Sequence, residues 1–576
     1  MDKHINFHFS PRFFTSIKNY SKEKFVADSM AGLIVGIVAI PLAIAFGIAS
    51  GVGPTEGLVT AIIAGFVISF LGGTKVQIGG PTGAFIVIIY GIIQQHGLAG
   101  LMIATIMAGI LLMFMGFVQL GNVIKFIPYP IVVGFTSGIA LTIFSTQMND
   151  FFGLGIENTP ADFIHKWMCY FQNFTHINWW TFGVGAISLL IIIFTPKISK
   201  KIPGSLVAII IATLGVWLIK TFGAFEGAAS IKTIGDLYEL PSGLPIPKLP
   251  SLELGEGQTL LSLIQTLFPA AFTIAMLGAI ESLLSAMVAD GAIGDHHDSN
   301  TELIAQGAAN ILTPFFGGIP ATGAIARTMT NINNGGKTPV AGIIHVFVLL
   351  LVLLFLGDLV GYIPMPCLAA VLIMVAYNMS GWRTVKMLTH NPKSDVLVLF
   401  TTFFLTVIFD LTIAIEIGLL MAILLFMKRM METTSISVIE NEIRNNEQEE
   451  ELHADDTECL TIPQGVEVYE INGPFFFGVA SKFDELISQM SEKPQVRIIR
   501  MRKVSFIDST GLHNLENVCH MSNREGIHVI LSGVNEKVHD TLRKSGFSKE
   551  IGEANICPDI YAALNRSVEY QQNLKK

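Results

Sequence analysis

The feature that most constrains the fold is a series of long apolar runs between Phe25 and Met431. Many extend for roughly 20 residues, the length that a helix needs to cross the hydrocarbon core of a bilayer. The chain is 51% hydrophobic and only 14% charged, which is more apolar surface than a soluble protein of 576 residues buries. The pattern predicts a polytopic helical membrane protein, because an outer-membrane barrel shows short alternating segments instead.

About fourteen hydrophobic segments can be distinguished, near residues 26–50, 55–72, 81–96, 98–120, 124–146, 178–196, 202–222, 258–289, 300–316, 320–334, 338–362, 364–381, 394–410 and 411–431. Lys and Arg concentrate on alternate connections, whereas the opposite connections hold only Lys166, Lys232 and Lys248. Because basic loops stay in the cytoplasm, we expect a multi-pass protein of the plasma (inner) membrane with both termini cytoplasmic. Residues 1–24 would form a cytoplasmic segment and residues 25–432 the transmembrane domain.

Two similar stretches stand far apart in this apolar sequence, "GGPTGAF" at 79–85 and "GGIPATGAIAR" at 317–327. Fourteen spans divide into two units of seven, and a seven-helix unit starts and ends on opposite sides of the membrane. A duplicated unit must therefore insert upside down, as in many secondary transporters. We predict inverted repeats at about 25–222 and 258–432, with one of these stretches in the third segment of each.

Each stretch contains a proline, Pro81 or Pro320, that fits the first turn of a helix but not an interior position. We therefore expect two half-helices that begin inside the membrane, each with free N–H groups and roughly half a positive charge at its start. Two such starts facing one point would bind an anion. The alternative is that both breaks are only packing kinks. The small residues expected to admit a ligand are Thr82, Gly83, Ala84, Thr322, Gly323 and Ala324.

Ionisable and aromatic side chains add candidates within the apolar segments. Glu281 is an intramembrane carboxylate, and Ser285 lies one helical turn further on the same face. Arg327 follows the second predicted helix start. Glu281 would then bind a coupling cation or proton and Arg327 would attract the anion, unless the two form a purely structural buried pair. Phe46 and Phe85 would either wall the site or belong to the core.

The chain changes character after the last apolar segment. Residues 433–458 are predicted to be an acidic linker, because the run at 440–456 contains eight acidic residues and one arginine. From residue 459 to 576, strand-like runs such as "VEVYEI" alternate with helical ones. This alternation predicts a soluble α/β domain with a mixed or parallel sheet.

These stretches, together with "ADGAIGDHHDSNTELIAQGAANILTPFFGGIPATGAIART" and "FIDSTG" at 506–511, resemble the SulP/SLC26 family of anion transporters along nearly the whole chain. The resemblance implies a UraA-like fold of seven plus seven inverted helices, with core and gate domains, and a homodimer with a cytoplasmic STAS domain. It implies an anion site between the third and tenth helices, formed by Thr82, Gly83, Ala84, Phe85, Gly323, Ala324, Ile325 and Arg327. The first helix would add Phe46, and the eighth would add Glu281 and Ser285.

The sequence departs from parts of the family pattern. Many animal and plant relatives carry Pro-Gln where this chain has Pro41 and Leu42. The sodium-dependent bicarbonate branch carries Asp and Thr in place of Glu281 and Ser285, and it lacks an arginine at the place of Arg327. The combination found here is more similar to proton-coupled bacterial members that carry sulfate or dicarboxylates.

We therefore expect a secondary active transporter of small inorganic anions, of the sulfate or bicarbonate class, coupled to H⁺ or Na⁺ and moving by an elevator-like mechanism. The alternatives are a dicarboxylate symporter, an anion channel, and an anion sensor that signals through the STAS domain. Nucleobase uptake on the same fold is less favoured, because of Arg327 and the STAS domain. Enzymatic activity, a cofactor, a metal site and a nucleic-acid partner are not expected.

The "FIDSTG" stretch also resembles the phosphorylatable loop of anti-sigma-factor antagonists that share the STAS fold. A hydroxyl at a helix start is well placed for phosphorylation, so Ser509 or Thr510 is a candidate regulatory site. The alternative is a purely structural loop. Such a switch would require a cytoplasmic protein that binds the STAS domain.

Overall fold

The computed structural model describes residues 9–18, 20–121, 128–156, 159–160, 162–198, 203–222, 230–238, 243–247, 260–409, 411–439, 461–479 and 493–574. The chain divides into two compact units, Met1–Met421 and Ala422–Lys576.

Each of the fourteen predicted apolar segments contains a helix. The helices are α1 (Lys22–Ala49), α2 (Pro54–Leu71), α3 and α4 (together Ile86–Phe117), α5 (Tyr129–Thr146), α6 (Trp179–Ile198), α7 (Gly204–Phe222), α8 (Leu260–Ile293), α9 (Ser299–Leu312), α10 (Ile325–Asn333), α11 (Val340–Phe355), α12 (Met365–Met379), α13 (Lys393–Ile408) and α14 (Leu411–Thr433). In the described part of the chain, eight helical stretches are long and apolar enough to cross a membrane by length and composition, and one of them, Gly83–Phe117, contains both α3 and α4.

Local sequence signals set several of these boundaries. The side chain of Ser21 caps α1 by accepting a hydrogen bond from the amide of Lys24 at 3.3 Å. Pro54 opens α2, where its missing N–H leaves no bond unmade. α3 (86–96) and α4 (98–117) are separated by Gly97, whose φ of 66° is accessible mainly to glycine. The break therefore divides one long apolar run into two spans.

The helices of the first unit pack in reciprocal pairs. α1 packs against α11 while α8 packs against α4, and α2 packs against α11 while α9 packs against α4. α5 packs against α13, and α12 packs against α6. In each of these three pairs of contacts, the helices of the second contact are the equivalents, seven positions along the chain, of the helices of the first. An inverted duplication produces this relation.

Shorter elements connect the spans. Two strands interrupt the helices, β1 (Gly79–Gly80) and β2 (Thr322–Gly323), and a 3₁₀ turn (Gly83–Phe85) precedes α3. The other connecting elements are the short helices Arg12–Ile17, Met148–Phe152, Phe163–Asn173, Ile234–Leu237, Gly357–Gly361 and Trp382–Leu388, and the 3₁₀ turns Phe174–His176 and Thr313–Phe316.

The second unit contains a five-stranded mixed sheet in the order β3 (Ser435–Ile439), β4 (Val466–Asn472), β5 (Val496–Arg500), β6 (His528–Ser532) and β7 (Ile556–Cys557). β3 runs antiparallel to β4, and the remaining neighbours are parallel. Its helices are α15 (Ser509–Arg524), α16 (Glu536–Ser545), Phe547–Ile551 and α17 (Ile560–Leu574), with a 3₁₀ turn at Glu553–Asn555. The predicted mixed α/β character is confirmed. The run "ASKFDELISQM" at 480–490, whose pattern predicts a helix, lies outside the described residues.

The predicted linker at 433–458 begins too early. Residues 435–439 form an edge strand whose Val438 lies opposite Tyr469 and whose Ile436 packs against the core of this unit. The prediction failed because the alternating run "SISVI" is only five residues long and is followed directly by the acidic run. Pairing with β4 satisfies its backbone groups and makes it a strand.

Candidate functional site

The repeated motif forms a buried backbone crossing in the first unit. β1 and β2 are antiparallel, with Gly80 opposite Thr322, and both strands are buried. Helical structure resumes at Gly83 after β1 and at Ile325 after β2. Because the strands are antiparallel, the two helices leave this crossing in opposite directions. Both helix starts therefore lie next to one two-stranded crossing, which we call the β1–β2 crossing.

Arg327 joins the second helix start to the first motif. Its side chain is only 2% exposed, and its Nη2 atom donates a hydrogen bond of 2.5 Å to the carbonyl oxygen of Pro81. The guanidinium lies so close to Gly80 that a Cβ placed there would be 2.5 Å from Nη1. In the described part of the chain, this guanidinium forms no ion pair with a carboxylate. A buried cation with several N–H donors and no carboxylate within ion-pair distance is suited to hold an anion.

Glu281 faces the first motif from α8. Its Oε2 atom accepts a hydrogen bond of 2.9 Å from the hydroxyl of Thr82. The structural alternative considered above, a direct ion pair between Glu281 and Arg327, is not present among the described contacts. The carboxylate and the guanidinium instead bind neighbouring positions of the same chain segment, Thr82 and Pro81. Both charges therefore act on the first helix start.

Ser285 faces the second motif from the same helix. Its fully buried hydroxyl donates a hydrogen bond of 3.2 Å to Oγ1 of Thr328, which also accepts a hydrogen bond from the amide of Ile78. The carbonyl of Ile78 in turn accepts a bond from the amide of Ala324 at 2.9 Å. Ser285 is thus connected to the backbone at the second helix start through one hydroxyl, whereas Glu281 contacts the first motif directly.

Side chains from several helices surround the first helix start. A Cβ placed on Gly83 would lie 3.1 Å from Cδ1 of Ile143, 3.1 Å from Sδ of Met379 and 3.5 Å from the ring of Phe46. The ring of Phe46 therefore lies beside the first helix start. The backbone at Gly83 leaves space for only a small group.

The remaining predicted site residues differ in exposure. Ala84 and Phe85 are at most 1% exposed, and the Phe85 ring reaches the position of Gly278 on α8. Ala324 is 9% exposed and Ile325 is 40% exposed. A Cβ at Gly323 would overlap the side-chain amide of Gln77. Phe85 and Gly323 therefore face the protein interior, whereas Ile325 is more open.

A buried polar network next to the crossing was missed by the sequence analysis. Glu302 on α9 is fully buried and accepts hydrogen bonds from the Gly73 amide at 2.9 Å, from Thr74 at 3.1 Å and from Gln306 at 2.9 Å. Ser282, next to Glu281, lies 3.3 Å from the same carboxylate. The signal was available, because Glu302 is a carboxylate within an apolar segment.

Two polar stretches outside the membrane helices also have defined contacts. The first is the Asp-His-His-Asp run at 295–298. Its Asp295 forms an ion pair with Lys75 at 2.7 Å, and its Asp298 caps α9. In the second unit, Ser509 and Thr510 are exposed in the first turn of α15. The cap of that helix is Asp508, which accepts a hydrogen bond of 2.7 Å from the amide of Gly511. Both hydroxyls are therefore left accessible.

Comparisons with known proteins identify the family of this chain. The Sulfate permease family matches residues 25–402, and the STAS domain matches residues 460–563. The putative sulfate transporter YvdB of Bacillus subtilis (strain 168) is 41% identical over 550 residues, with coverage of 95% of this chain and 98% of the relative. The bicarbonate transporter BicA of Synechocystis sp. is 30% identical over 551 residues, with coverage of 94% of each chain.

A solved structure supports the fold. The structure of murine Solute Carrier 26 family member A9 has a TM-score of 0.84 at 18% identity and covers 97% of this chain and 94% of that chain. The predicted UraA-like inverted-repeat fold with a C-terminal STAS domain is thereby confirmed. The matched family consists of transporters and not of enzymes. The chain therefore belongs to the Sulfate permease family of multi-pass membrane transporters and carries a C-terminal STAS domain.

Proposed function

We propose that this protein is a secondary active transporter of small inorganic anions, of the sulfate or bicarbonate class. The observation that carries the proposal is the buried guanidinium of Arg327 at the β1–β2 crossing, without a carboxylate paired to it in the described chain. Two helix starts add partial positive charge at the same place. The names of the relatives, a putative sulfate transporter and a bicarbonate transporter, agree with this substrate class.

The anion would bind between the starts of α3 and α10. The proposed contacts come from the first motif (82–85) and from the second motif (323–327), with Phe46 as a wall. Gly83 has no side chain that would cover its backbone, and Ile143 and Met379 crowd the position that a Cβ would take. Arg327 would supply the permanent charge and the helix starts would supply N–H donors.

Glu281 is the proposed coupling group, and either H⁺ or Na⁺ would be the coupling ion. Its carboxylate binds Thr82, which lies next to the proposed anion contacts. A negative carboxylate beside an anion is unfavourable unless a proton or a cation binds with it. Loading of the anion and loading of the cation would then favour each other. Ser285 would hold the second motif in place through Thr328.

Transport would follow an elevator-like cycle. The helices that carry the site, α1, α3, α8 and α10, belong to the proposed mobile core, and the proposed gate contains α5 and α12. Ile143 of α5 and Met379 of α12 face Gly83 across this boundary. Both contacts are made by flexible apolar side chain ends, which can slide without breaking hydrogen bonds.

The surrounding assignments form part of the same proposal. The protein would reside in the plasma membrane as a homodimer with cytoplasmic termini, and residues 25–432 would form the transport domain. The STAS domain would bind a cytoplasmic protein, and phosphorylation of Ser509 or Thr510 would regulate that contact. Both residues are exposed at a helix start, where an added phosphate gains favourable N–H interactions but lies close to Asp508.

Uptake into proteoliposomes tests the function. Labelled sulfate, bicarbonate and fumarate are each offered with an imposed proton gradient, with an imposed sodium gradient, and without a gradient. We expect accumulation of sulfate or bicarbonate that depends on one of the two gradients. Accumulation of fumarate alone would make the protein a dicarboxylate symporter. Anion conductance without gradient-driven accumulation would make it a channel.

A further inference from the structure

A cavity lies in the first unit, apart from the β1–β2 crossing. It has a volume of about 190 Å³ and is lined by residues that include Ala49, Tyr90, Asp150, Thr159 and Lys166. Ala45 of α1 also lines it and is the residue before Phe46, so the cavity begins next to the proposed anion site. We call it the Lys166 cavity.

Lys166 is turned inward on a helix that leaves several large apolar side chains exposed. The helix Phe163–Asn173 buries Lys166, which is 4% exposed, while its Met168 is 57% and its Phe171 is 70% exposed. A lysine on a helix at a membrane surface normally reaches toward water. The opposite orientation here directs the ammonium group into the cavity wall.

The ammonium group of Lys166 has no hydrogen-bond or ion-pair partner among the residues that the structure describes. Asp162, at the start of the same helix, contacts His165 instead. Burial lowers the pKa of Lys166, and the charge of Asp162 opposes this effect only in part. A buried cation that lacks a partner is unfavourable, so binding of an anion in the cavity would relieve the cost.

Asp150 supplies the second charge of the cavity. This half-buried residue also forms no hydrogen bond or ion pair within the described chain, although Lys232 exerts an electrostatic effect on it. A carboxylate repels a fully ionised dianion, but it accepts a hydrogen bond from an anion that carries its own hydroxyl. One cation and one hydrogen-bond acceptor therefore match bicarbonate better than sulfate.

We propose that the Lys166 cavity is an anion-capture site, in which Lys166 binds the charged oxygens of bicarbonate and Asp150 accepts a hydrogen bond from its hydroxyl group. Its role as an entry step rests on the proposed transport function, whereas binding itself does not. The cavity would raise the local concentration of bicarbonate beside Phe46 before the anion moves to the β1–β2 crossing.

A cysteine at position 159 reports on occupancy of the cavity. Thr159→Cys is combined with Cys169→Ser, because Cys169 lies on the same helix as Lys166 and is partly exposed. Intact cells are treated with (2-(trimethylammonium)ethyl) methanethiosulfonate, which does not cross membranes, at fixed pH and ionic strength. We expect sodium bicarbonate to slow modification several-fold relative to sodium gluconate, and sodium sulfate to have little effect.

Three further variants locate the effect. Lys166→Gln should abolish the slowing by bicarbonate, and Asp150→Asn should allow sulfate to slow modification as well. Lys220→Gln is the matched control, because Lys220 pairs with Asp236 at 3.0 Å and does not line this cavity. This control should behave like the parent. Equal slowing in the parent and in Lys166→Gln, or no slowing in the parent, would overturn the capture site.

Uptake kinetics separate the two proposals. Lys166→Gln should raise the external KM for bicarbonate several-fold and leave the maximal rate nearly unchanged. If the parent protein accumulates no anion, the proposed transport function is wrong. The labelling assay then still shows whether the Lys166 cavity binds bicarbonate. If the parent transports normally but labelling is insensitive to bicarbonate, only the capture site fails.

Discussion

The two breaks in the membrane helices share a backbone arrangement but differ in charge. The first, at 79–85, carries no charged side chain and presents Thr82 to Glu281. The second, at 317–327, carries Arg327, whose side chain reaches back to the carbonyl of Pro81. A duplicated backbone thus supplies two helix starts, while the permanent charge comes from one repeat only. The proposed site is therefore two-fold in its backbone and asymmetric in its chemistry.

The largest effect should follow from removing the charge of the second break. Arg327→Gln would lose both the proposed attraction for the anion and a charge-assisted bond to Pro81. Interactions of this type contribute about 1.5–3 kcal/mol, or roughly 10- to 100-fold in rate. We expect initial uptake rates to fall by that factor or more. Arg327→Lys should recover part of the rate, because it restores the charge without the planar fork. Uptake at the parent rate in Arg327→Gln would place the anion elsewhere.

The carboxylate that faces the first break should control coupling. Glu281→Gln retains a hydrogen-bond acceptor for Thr82 and removes the titratable charge. We expect this variant to bind the anion and to exchange it across the membrane, but to lose accumulation driven by a proton or sodium gradient. Accumulation is measured together with counterflow in the same proteoliposomes. Normal accumulation would remove Glu281 from the coupling mechanism.

The glycines of the two breaks should differ in their tolerance of a methyl group. A Cβ at Gly323 overlaps the side chain of Gln77, which is held by Ser282 at 2.9 Å. A Cβ at Gly83 meets the side-chain ends of Ile143 and Met379 at 3.1 Å each and the ring of Phe46 at 3.5 Å. Overpacking typically costs about 1–3 kcal/mol. Gly323→Ala should therefore lower the thermal unfolding temperature of the purified protein clearly more than Gly83→Ala does. The reverse order would contradict the packing described for the two motifs.

The smallest effect is expected from the hydroxyl that supports the second break. Ser285→Ala removes one hydrogen bond to Thr328, and a neutral bond contributes about 0.5–1.5 kcal/mol. We expect the KM for uptake to rise by a few-fold with normal expression. Thr330→Ala, which removes an exposed hydroxyl bound only to its own helix, is the matched control. Equal KM values in both variants would show that Ser285 does not position the site.

The sequence predicted those features that depend on local signals. The fourteen apolar segments and both breaks follow from composition and from proline and glycine, whose effects on a helix are local. The strand at 435–439 was missed because its identity depends on pairing with β4. The partners of Arg327 and Glu281 depend on contacts between distant segments. The sequence alone therefore could not exclude a direct ion pair between these two residues. The sequence predicted only that Lys166 lies in a loop between two spans. Its burial depends on contacts with other segments, which the sequence does not reveal.

Anomalous X-ray diffraction tests the central claim most directly. Crystals of the purified protein are soaked with selenate and, in parallel, with hydrogen selenite, since both anions carry a strong anomalous scatterer. We expect a selenium peak at the β1–β2 crossing, in contact with the backbone at Gly83 and with Arg327, and loss of this peak in Arg327→Gln. Selenium peaks confined to other places, with none at the crossing for either anion, would contradict this claim.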